Sequence, residues 1–463
     1  MSASITVMKF GGTSLENSAA FERVAQILSS PRTNGDQPPV AVVSAMSGVT
    51  DALMMSLRLV QEGQNRAAAQ TLEEHFARHL EVAVRLGPTA VASMRLILDR
   101  TRQEVVELLE LAGATRSTSV TSTPAIRDAI SSYGEILSAQ LLTLVLNTCG
   151  SPASYVDARR CITTNGEHGN AQPLESETAV QMRAQLQPLL DQKRTPVLGG
   201  FIGATKEGVT TTMGRGSSDY SATLASAALN ARETQIWTDV SGVHTADPML
   251  VKSARTIPRL SYDEAEEMAR LGAKVLHQRM FEPVRQQQIP IRICNSYVPQ
   301  AEGTLISAEP DSTASTNGTI KGIAHKNHLV RIDVRSTPTQ VTNGFQGSIE
   351  SILKRHQGSI ELVTRLANGI SLACDDGPSL GSIVHALKQC GSVQVTNRQA
   401  IVSCVGEGLR RSSEEPGALT AILRALDSTL VWQNTSRLNL IAVVDAEMVG
   451  PLVRRLHSEI FEQ

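Results

Sequence analysis

Lys9-Phe10-Gly11-Gly12-Thr13-Ser14 follows the apolar run Ile5-Thr6-Val7-Met8 and precedes a stretch that reads as a helix. The run has the character of a buried strand, and Asn17 or Ser18 can cap a helix continuing to about Ser29. Two glycines between a strand and a helix let the backbone come close to a bound anion, and the helix N-terminus behind them offers free N–H groups. Lys9 adds a mobile point charge of the kind used on phosphates. By itself Gly-Gly could be no more than a tight strand-to-helix turn, so the remainder of the chain has to decide.

A chain of 463 residues exceeds one core, and two or three domains are expected. Its 41% hydrophobic and 19% charged residues describe a globular protein, and a net charge of −2 gives no support for a nucleic-acid or membrane partner. Aromatics at 3% are too few for a single-strand stacking platform. No basic-then-apolar leader precedes the first strand and no apolar run reaches about 18 residues, so a cytoplasmic protein is expected. Six cysteines without a C-x-x-C pair read as reduced core thiols.

Through about residue 300, short β-branched runs alternate with helical stretches. Val40–Ser44, Ser154–Val156, Pro196–Ile202, Gly208–Thr212, Gln235–Trp237 and Ile289–Cys294 read as strands of a largely parallel sheet covered by helices on both faces. Residues 51–112 are rich in Leu, Ala, Glu and Arg and read as an insertion of two or three helices. These assignments put a first domain at 1–306 and a linker at 307–318. Beyond it, strand, helix, strand, strand and helix signals recur twice, which predicts two small βαββαβ units of the ferredoxin-like type. The first covers 327–396; the second combines 319–326 with 397–463.

A second glycine-rich stretch, Met213-Gly214-Arg215-Gly216-Ser217-Ser218-Asp219, follows a strand and opens a helix from Asp219 to Leu229. Arg215 between glycines suits bidentate capture of a carboxylate or phosphate. Asp219 could position phosphate-facing lysines or simply favour the helix dipole. Trp237-Thr238-Asp239-Val240-Ser241-Gly242-Val243-His244-Thr245-Ala246-Asp247 is a strand end and long polar loop, placed where parallel sheets bind ligands. Ser132-Tyr133-Gly134-Glu135 is read as the start of an apolar helix whose single carboxylate wants a cationic partner. Gly272-Ala273-Lys274 sets a lysine after a helix-ending glycine. His75 and His79 have metal-pair spacing but lack a third ligand, and are assigned to a solvated face; no metal site is expected.

In order, Lys-Phe-Gly-Gly-Thr-Ser, Ser-x-Gly-Glu, Gly-Arg-Gly-x-Ser-Asp, Trp-Thr-Asp-Val-x-Gly and Gly-Ala-Lys-Val-Leu-His resemble the aspartate kinases of the amino acid kinase superfamily. The likeness covers essentially the whole chain and is greatest to the monofunctional form, in which the paired C-terminal units are ACT domains. It implies ATP- and Mg²⁺-dependent phosphorylation of the L-aspartate side chain. By resemblance, Lys9 and Lys274 hold the transferring group and Asp219 orients them, while Gly11, Gly12 and Thr13 meet the phosphates. Glu135 takes the substrate amino group and Arg215 its α-carboxylate, with Ser44, Thr50 and Ser218 nearby. Thr238, Asp239, His244 and Asp247 fall at the nucleotide. Thr342, Phe345, Glu361 and Arg365 fall at an amino-acid effector site, and pairing of ACT units implies a homodimer or higher oligomer.

The residue inventory agrees with that chemistry, since a carboxylate with a pKa of about 4 needs no general base and the chain shows no triad. Departures from the family pattern are Ser217 for a glycine, Ser241 for proline, His244 for tyrosine, Met249 for arginine and Gln278 for proline. Ile360-Glu361-Leu362-Val363-Thr364-Arg365 replaces the family's effector-binding run, which predicts altered or absent lysine feedback. A kinase of another small acidic amino acid, and a catalytically weakened regulatory subunit, remain as alternatives.

Overall fold

The computed structural model describes residues 5–30, 37–114, 122–214, 216–273, 275–308, 320–335, 345–356, 360–366, 369–410, 431–433 and 438–462. Arg215, Lys274, Thr342, most of the expected linker and the expected helix 416–426 lie outside them. The chain divides into two compact units, Met1–Val243 with His277–Glu309, and His244–Leu276 with Pro310–Gln463.

The first unit is built on β1 (Thr6–Phe10), β2 (Val40–Val43), β3 (Ala153–Val156), β4 (Thr195–Gly199), β7 (Glu233–Thr238), β9 (Ile291–Asn295) and β10 (Thr304–Ser307). Their order is β3-β4-β2-β1-β7-β9-β10. All neighbours are parallel except β9 and β10. β2 is buried at every position, as a continuous Val/Ala run covered on both faces must be. Helix α1 (Ser18–Leu28) starts where Asn17 accepts the Ala20 N–H at 3.0 Å. The insertion is three helices, α2 (Val49–Gln61), α3 (Asn65–Leu86) and α4 (Pro88–Ala114), followed by α5 (Ser122–Thr148) and α6 (Glu175–Asp191). α5 is long and apolar enough to span a membrane by composition, but it is largely buried within the protein.

Several expectations need correction. The run Pro196–Ile202 is broken after Gly199, because Phe201 adopts φ 68 and redirects the chain. Beyond it, β5 (Ile202–Ala204) and β6 (Thr210–Thr212) form a separate antiparallel hairpin rather than joining the main sheet. Helix α7 begins at Ser217, two residues before Asp219, and runs to Leu229. The Ser132–Ser138 stretch lies in the middle of α5. Cys149 is exposed, unlike the other five cysteines. His79 is wholly buried, and burial pushes its imidazole down to about 4, so it is a neutral core group rather than part of a solvated face.

In the second unit, β8 (Arg259–Ser261) leads into α8 (Tyr262–Arg270), which opens on a Ser261/Glu264 capping box. β11 (Gly322–Arg335), α9 (Phe345–Arg355), β12 (Ile360–Leu366), β13 (Gly369–Asp375), α10 (Leu380–Lys388), β14 (Ser392–Val405), β15 (Val431–Gln433), β16 (Asn439–Asp445) and α11 (Val449–Phe461) follow. One six-stranded sheet, ordered β12-β13-β11-β14-β16-β15, serves both repeats. β11 and β14 run through the two of them. β11 loses register between Lys326 and Leu329, and His328 and Arg398 adopt φ 61 and 57. Each half has its own core, one around Ile332, Leu372 and Ile383 and the other around Val402, Ala442 and Val453.

Candidate active site

β1, β2, β4, β7 and β9 are parallel, so their carboxyl ends and the loops after them share one edge of the sheet. Each loop leaves its strand tied to a neighbour. Gly11 N–H donates to the Trp237 carbonyl at 3.2 Å, Ser44 N–H to Phe10 at 3.0 Å, Gly200 N–H to Val43 at 2.8 Å and Ser296 N–H to Thr238 at 2.8 Å. Gly11 therefore uses its own amide within the fold, and the Gly12 and Thr13 amides are the donors left at that turn. Gly12 packs so closely that a Cβ would stand 3.0 Å from the Ala45 carbonyl oxygen. Ser14 and Ser296 hydroxyls meet at 2.8 Å, and the Tyr297 hydroxyl donates to the Thr13 carbonyl at 3.2 Å, so the β9 loop buttresses the β1 loop.

Lys9 Nζ lies 2.7 Å from Asp219 Oδ1, and both side chains are nearly buried, 13% and 12% exposed. Asp219 thus holds the lysine at the edge, a stronger role than favouring a helix dipole. Ser218 receives the Ser44 hydroxyl at 3.1 Å. The N-terminus of α7 fits here because residue 200 is glycine: a Cβ would stand 2.7 Å from the Ser218 Cα. Ser217, where the family pattern has glycine, is buried and donates to the Met213 and Gly214 carbonyls at 2.8 and 2.6 Å, so its hydroxyl is accommodated.

Glu135 projects from α5 toward the β2 and β4 loops. Gly199 abuts it, since a Cβ there would lie 2.9 Å from the Glu135 Cβ. A Cβ on Gly134 would lie 2.7 Å from Ala45 and 3.3 Å from the Thr50 hydroxyl. The glutamate is 5% exposed and its Oε2 has no hydrogen-bond partner. Burial raises its pKa to about 8, against the lowering effect of backbone N–H groups at Ala45 and Glu135. Such a group accepts an incoming cation and ionises on doing so.

Sequence reading missed several residues. Asp128 is buried on α5, seven residues before Glu135 and so on the same helical face. Its carboxylate accepts from Thr212 N–H and Oγ1, Gly169 N–H and His168 Nδ1 at 2.7–3.0 Å, pinning the approach to Gly214. Arg279 donates to the Met213 carbonyl at 2.7 Å and lies over the Tyr220 ring. Arg78 of the insertion donates to the Ser47 and Glu16 carbonyls at 2.7 and 3.0 Å, bracing the β1 and β2 loops together. A second acid in an otherwise apolar helix, one heptad before Glu135, is the signal for Asp128; nothing local marks the two arginines.

Thr238 donates to Asp239 at 3.1 Å at the end of β7. His244 and Asp247 belong to the second unit, where Asp247 accepts the Met249 N–H at 2.9 Å and Met249 is 88% exposed. Glu361 does not stand open for a ligand; Lys326 Nζ lies 2.6 Å from it. The side chains of Phe345 and Arg365 are outside the described residues.

The amino acid kinase family matches residues 4–295. Among curated proteins, the chain is 30% identical to the lysine-sensitive aspartokinase 3 of Escherichia coli, across 99% of both sequences. It is 31% identical to the chloroplastic aspartokinase 3 of Arabidopsis thaliana, over 98% of this chain and 81% of that one. The solved structure of E. coli aspartokinase III with aspartate and ADP (R-state) superposes with a TM-score of 0.84 at 29% identity, over 99% of this chain and 100% of that one. The same enzyme with lysine and aspartate (T-state) gives 0.78 over 99% of each.

Proposed function

The chain belongs to the amino acid kinase family and, within it, to the aspartokinases, and from that premise we propose that it transfers the γ-phosphoryl group of ATP to the side-chain carboxylate of L-aspartate. The observation that carries this reading is Glu135, a buried carboxylate with an unpartnered oxygen packed against the end of β4 and the loop after β2, at the sheet edge where Lys9 pairs with Asp219. An amino acid supplies the ammonium that Glu135 lacks, and Arg215 takes the α-carboxylate at the same end. Ser44, Thr50 and Ser218 line the same edge.

The acceptor carboxylate is an anion at neutral pH, so the barrier lies in bringing it to a polyanionic phosphate. Lys9, oriented by Asp219, together with Lys274 and the Gly12 and Thr13 amides, offsets that repulsion most as charge builds on the transferring group. Thr238, Asp239, His244 and Asp247 serve the nucleotide. The nucleotide brings a Mg²⁺ ion on its phosphates. When bound, that ion neutralises phosphate charge. The product opens the lysine, threonine and methionine branch of biosynthesis in a cytoplasmic homo-oligomer paired through the ACT-like units. Lysine feedback is altered, because Glu361 is already engaged by Lys326.

Hydroxylamine trapping tests the reading. With Mg-ATP, L-aspartate should give the β-hydroxamate while L-glutamate and N-acetyl-L-glutamate give none. Equal yield from glutamate would reassign the substrate, and no yield from any acid would leave a regulatory subunit.

A further inference from the structure

Helix α3 of the insertion sets two side chains, one turn apart, against the loop after β2. Arg78 and His75 flank Gly48, the left-handed residue (φ +82) at the start of α2: a Cβ there would stand 3.8 Å from Arg78 Nη1 and 3.9 Å from His75 Nε2. Phe76 and His79, on either side of Arg78 in sequence, are buried, so the guanidinium is presented from an anchored helix. It spans two turns. Nη1 donates to the Ser47 carbonyl at 2.7 Å and Nη2 to the Glu16 carbonyl at 3.0 Å. Glu16 closes the 3₁₀ turn Gly12–Leu15, and Ser47 lies between β2 and Thr50 in the first turn of α2.

Among the described residues no hydrogen bond runs directly between 11–17 and 45–50, and neither carbonyl has a second donor. Each turn is tied back to other surroundings. Thr13 and Ser14 bond to Tyr297 and Ser296, and the Met46 N–H donates to the Ser138 hydroxyl at 2.8 Å. The two turns touch where Gly12 packs on Ala45 and Ser47. Such contact is non-directional, whereas a planar fork on two carbonyls fixes both distance and direction.

We propose that Arg78 is a positioning residue that couples the two substrates: by holding the Glu16 and Ser47 carbonyls in one fork, it makes the turn assigned above to the nucleotide phosphates and the turn assigned to aspartate order together. The proposal rests on that functional reading for the identity of the two ligands, though the clasp itself does not. A ligand that stills one turn then lowers the conformational cost of binding at the other, and by linkage the effect is equal in both directions.

The test is calorimetric titration with L-aspartate, with and without saturating Mg²⁺ and the non-hydrolysable β,γ-imido analogue of ATP. The parent should bind aspartate about fivefold or more tightly with the nucleotide analogue present. Arg78→Ala should bind each ligand alone within about threefold of the parent while the coupling falls to about 1.5-fold or less. N-ethylguanidinium, which restores the atoms the substitution removes, should bring the coupling back where equal sodium chloride does not. Arg78→Lys keeps the charge without the fork, so it should couple no better than Arg78→Ala, and it supplies the test should the alanine variant not fold. Hydrogen exchange gives a second readout. Without ligand, amides of 12–16 and 45–49 should exchange faster in both variants, and the nucleotide analogue alone should slow 45–49 in the parent only. The ligand-free comparison stands whether or not the chain phosphorylates aspartate. A parent that binds neither ligand would contradict the functional reading, and ligand-free exchange would then decide on the clasp alone. Coupling or ligand-free exchange in either variant that matches the parent, a ligand-binding parent without coupling, or a loss in Arg78→Ala indifferent to N-ethylguanidinium would overturn the proposal.

Discussion

Glu135 makes aspartate binding pH-dependent in a way that can be worked out in advance. With a pKa of about 8 in the empty site, the carboxyl is only about one-tenth ionised at pH 7, and ionising it costs about 1.4 kcal/mol there and about 2.7 kcal/mol at pH 6. Capture of the substrate ammonium requires the ionised form, so apparent affinity should rise about tenfold per pH unit up to about 8 and then level. Binding should also release close to one proton at pH 7 and about half a proton at pH 8. Titration calorimetry with aspartate in two buffers of different ionisation enthalpy measures that number. Glu135→Gln should bind more weakly by about 1.5–3 kcal/mol and release no proton. The sign for stability follows from the same elevation. The group's contribution to the empty fold is full below its unfolded pKa, near 4.5, and is lost as pH rises through about 8. Glu135→Gln should therefore melt later than the parent at pH 9. A parent protein whose aspartate affinity is flat from pH 6 to 8, with no proton released, would refute the assignment of Glu135 to the ammonium.

Lys9→Ala should lower kcat by about 10²–10³-fold, or about 3–4 kcal/mol, with a smaller effect on aspartate KM; near-normal turnover would reject the phosphate role. His244→Tyr combined with Met249→Arg should lower the ATP KM by about 1–2 kcal/mol, by adding aromatic area and a permanent charge; an unchanged KM would show that other groups hold the nucleotide. Millimolar L-lysine should leave activity nearly unchanged, because Glu361 is paired with Lys326 and Arg365 adds a like charge to the run; half-inhibition well below one millimolar would contradict this.

What could be read from the chain was whatever depended on neighbouring residues. Gly11-Gly12 after an apolar strand, a cap at Asn17 or Ser18, and an insertion of two or three helices before α5 all follow from local pattern; the structure has Asn17 as the cap and three helices. Local pattern failed where a distant contact decided the outcome. Pro196–Ile202 is a continuous apolar run, yet Phe201 turns with positive φ because Gly200 must clear the N-terminus of α7. Glu135 was recognised but set at a helix start, whereas Ser132-Tyr133-Gly134-Glu135 lies in the middle of α5 with Ser132 buried. His79 was assigned to a solvated face for want of a third ligand, and is wholly buried. Asp128, Arg78 and Arg279 act through backbone carbonyls or amides far along the chain, and no spacing announces such partners. β11 passes through both repeats as one strand, with its register broken between Lys326 and Leu329.

The chemistry can be read on the product itself. Incubation of the full chain with L-aspartate and Mg-ATP, followed by borohydride reduction, converts a β-acyl phosphate to homoserine, which mass spectrometry distinguishes from the alcohol left by reduction at the α-carboxyl. The proposed reaction predicts homoserine that depends on ATP, on aspartate and on Lys9. ADP release without homoserine, or homoserine undiminished in Lys9→Ala, would contradict it.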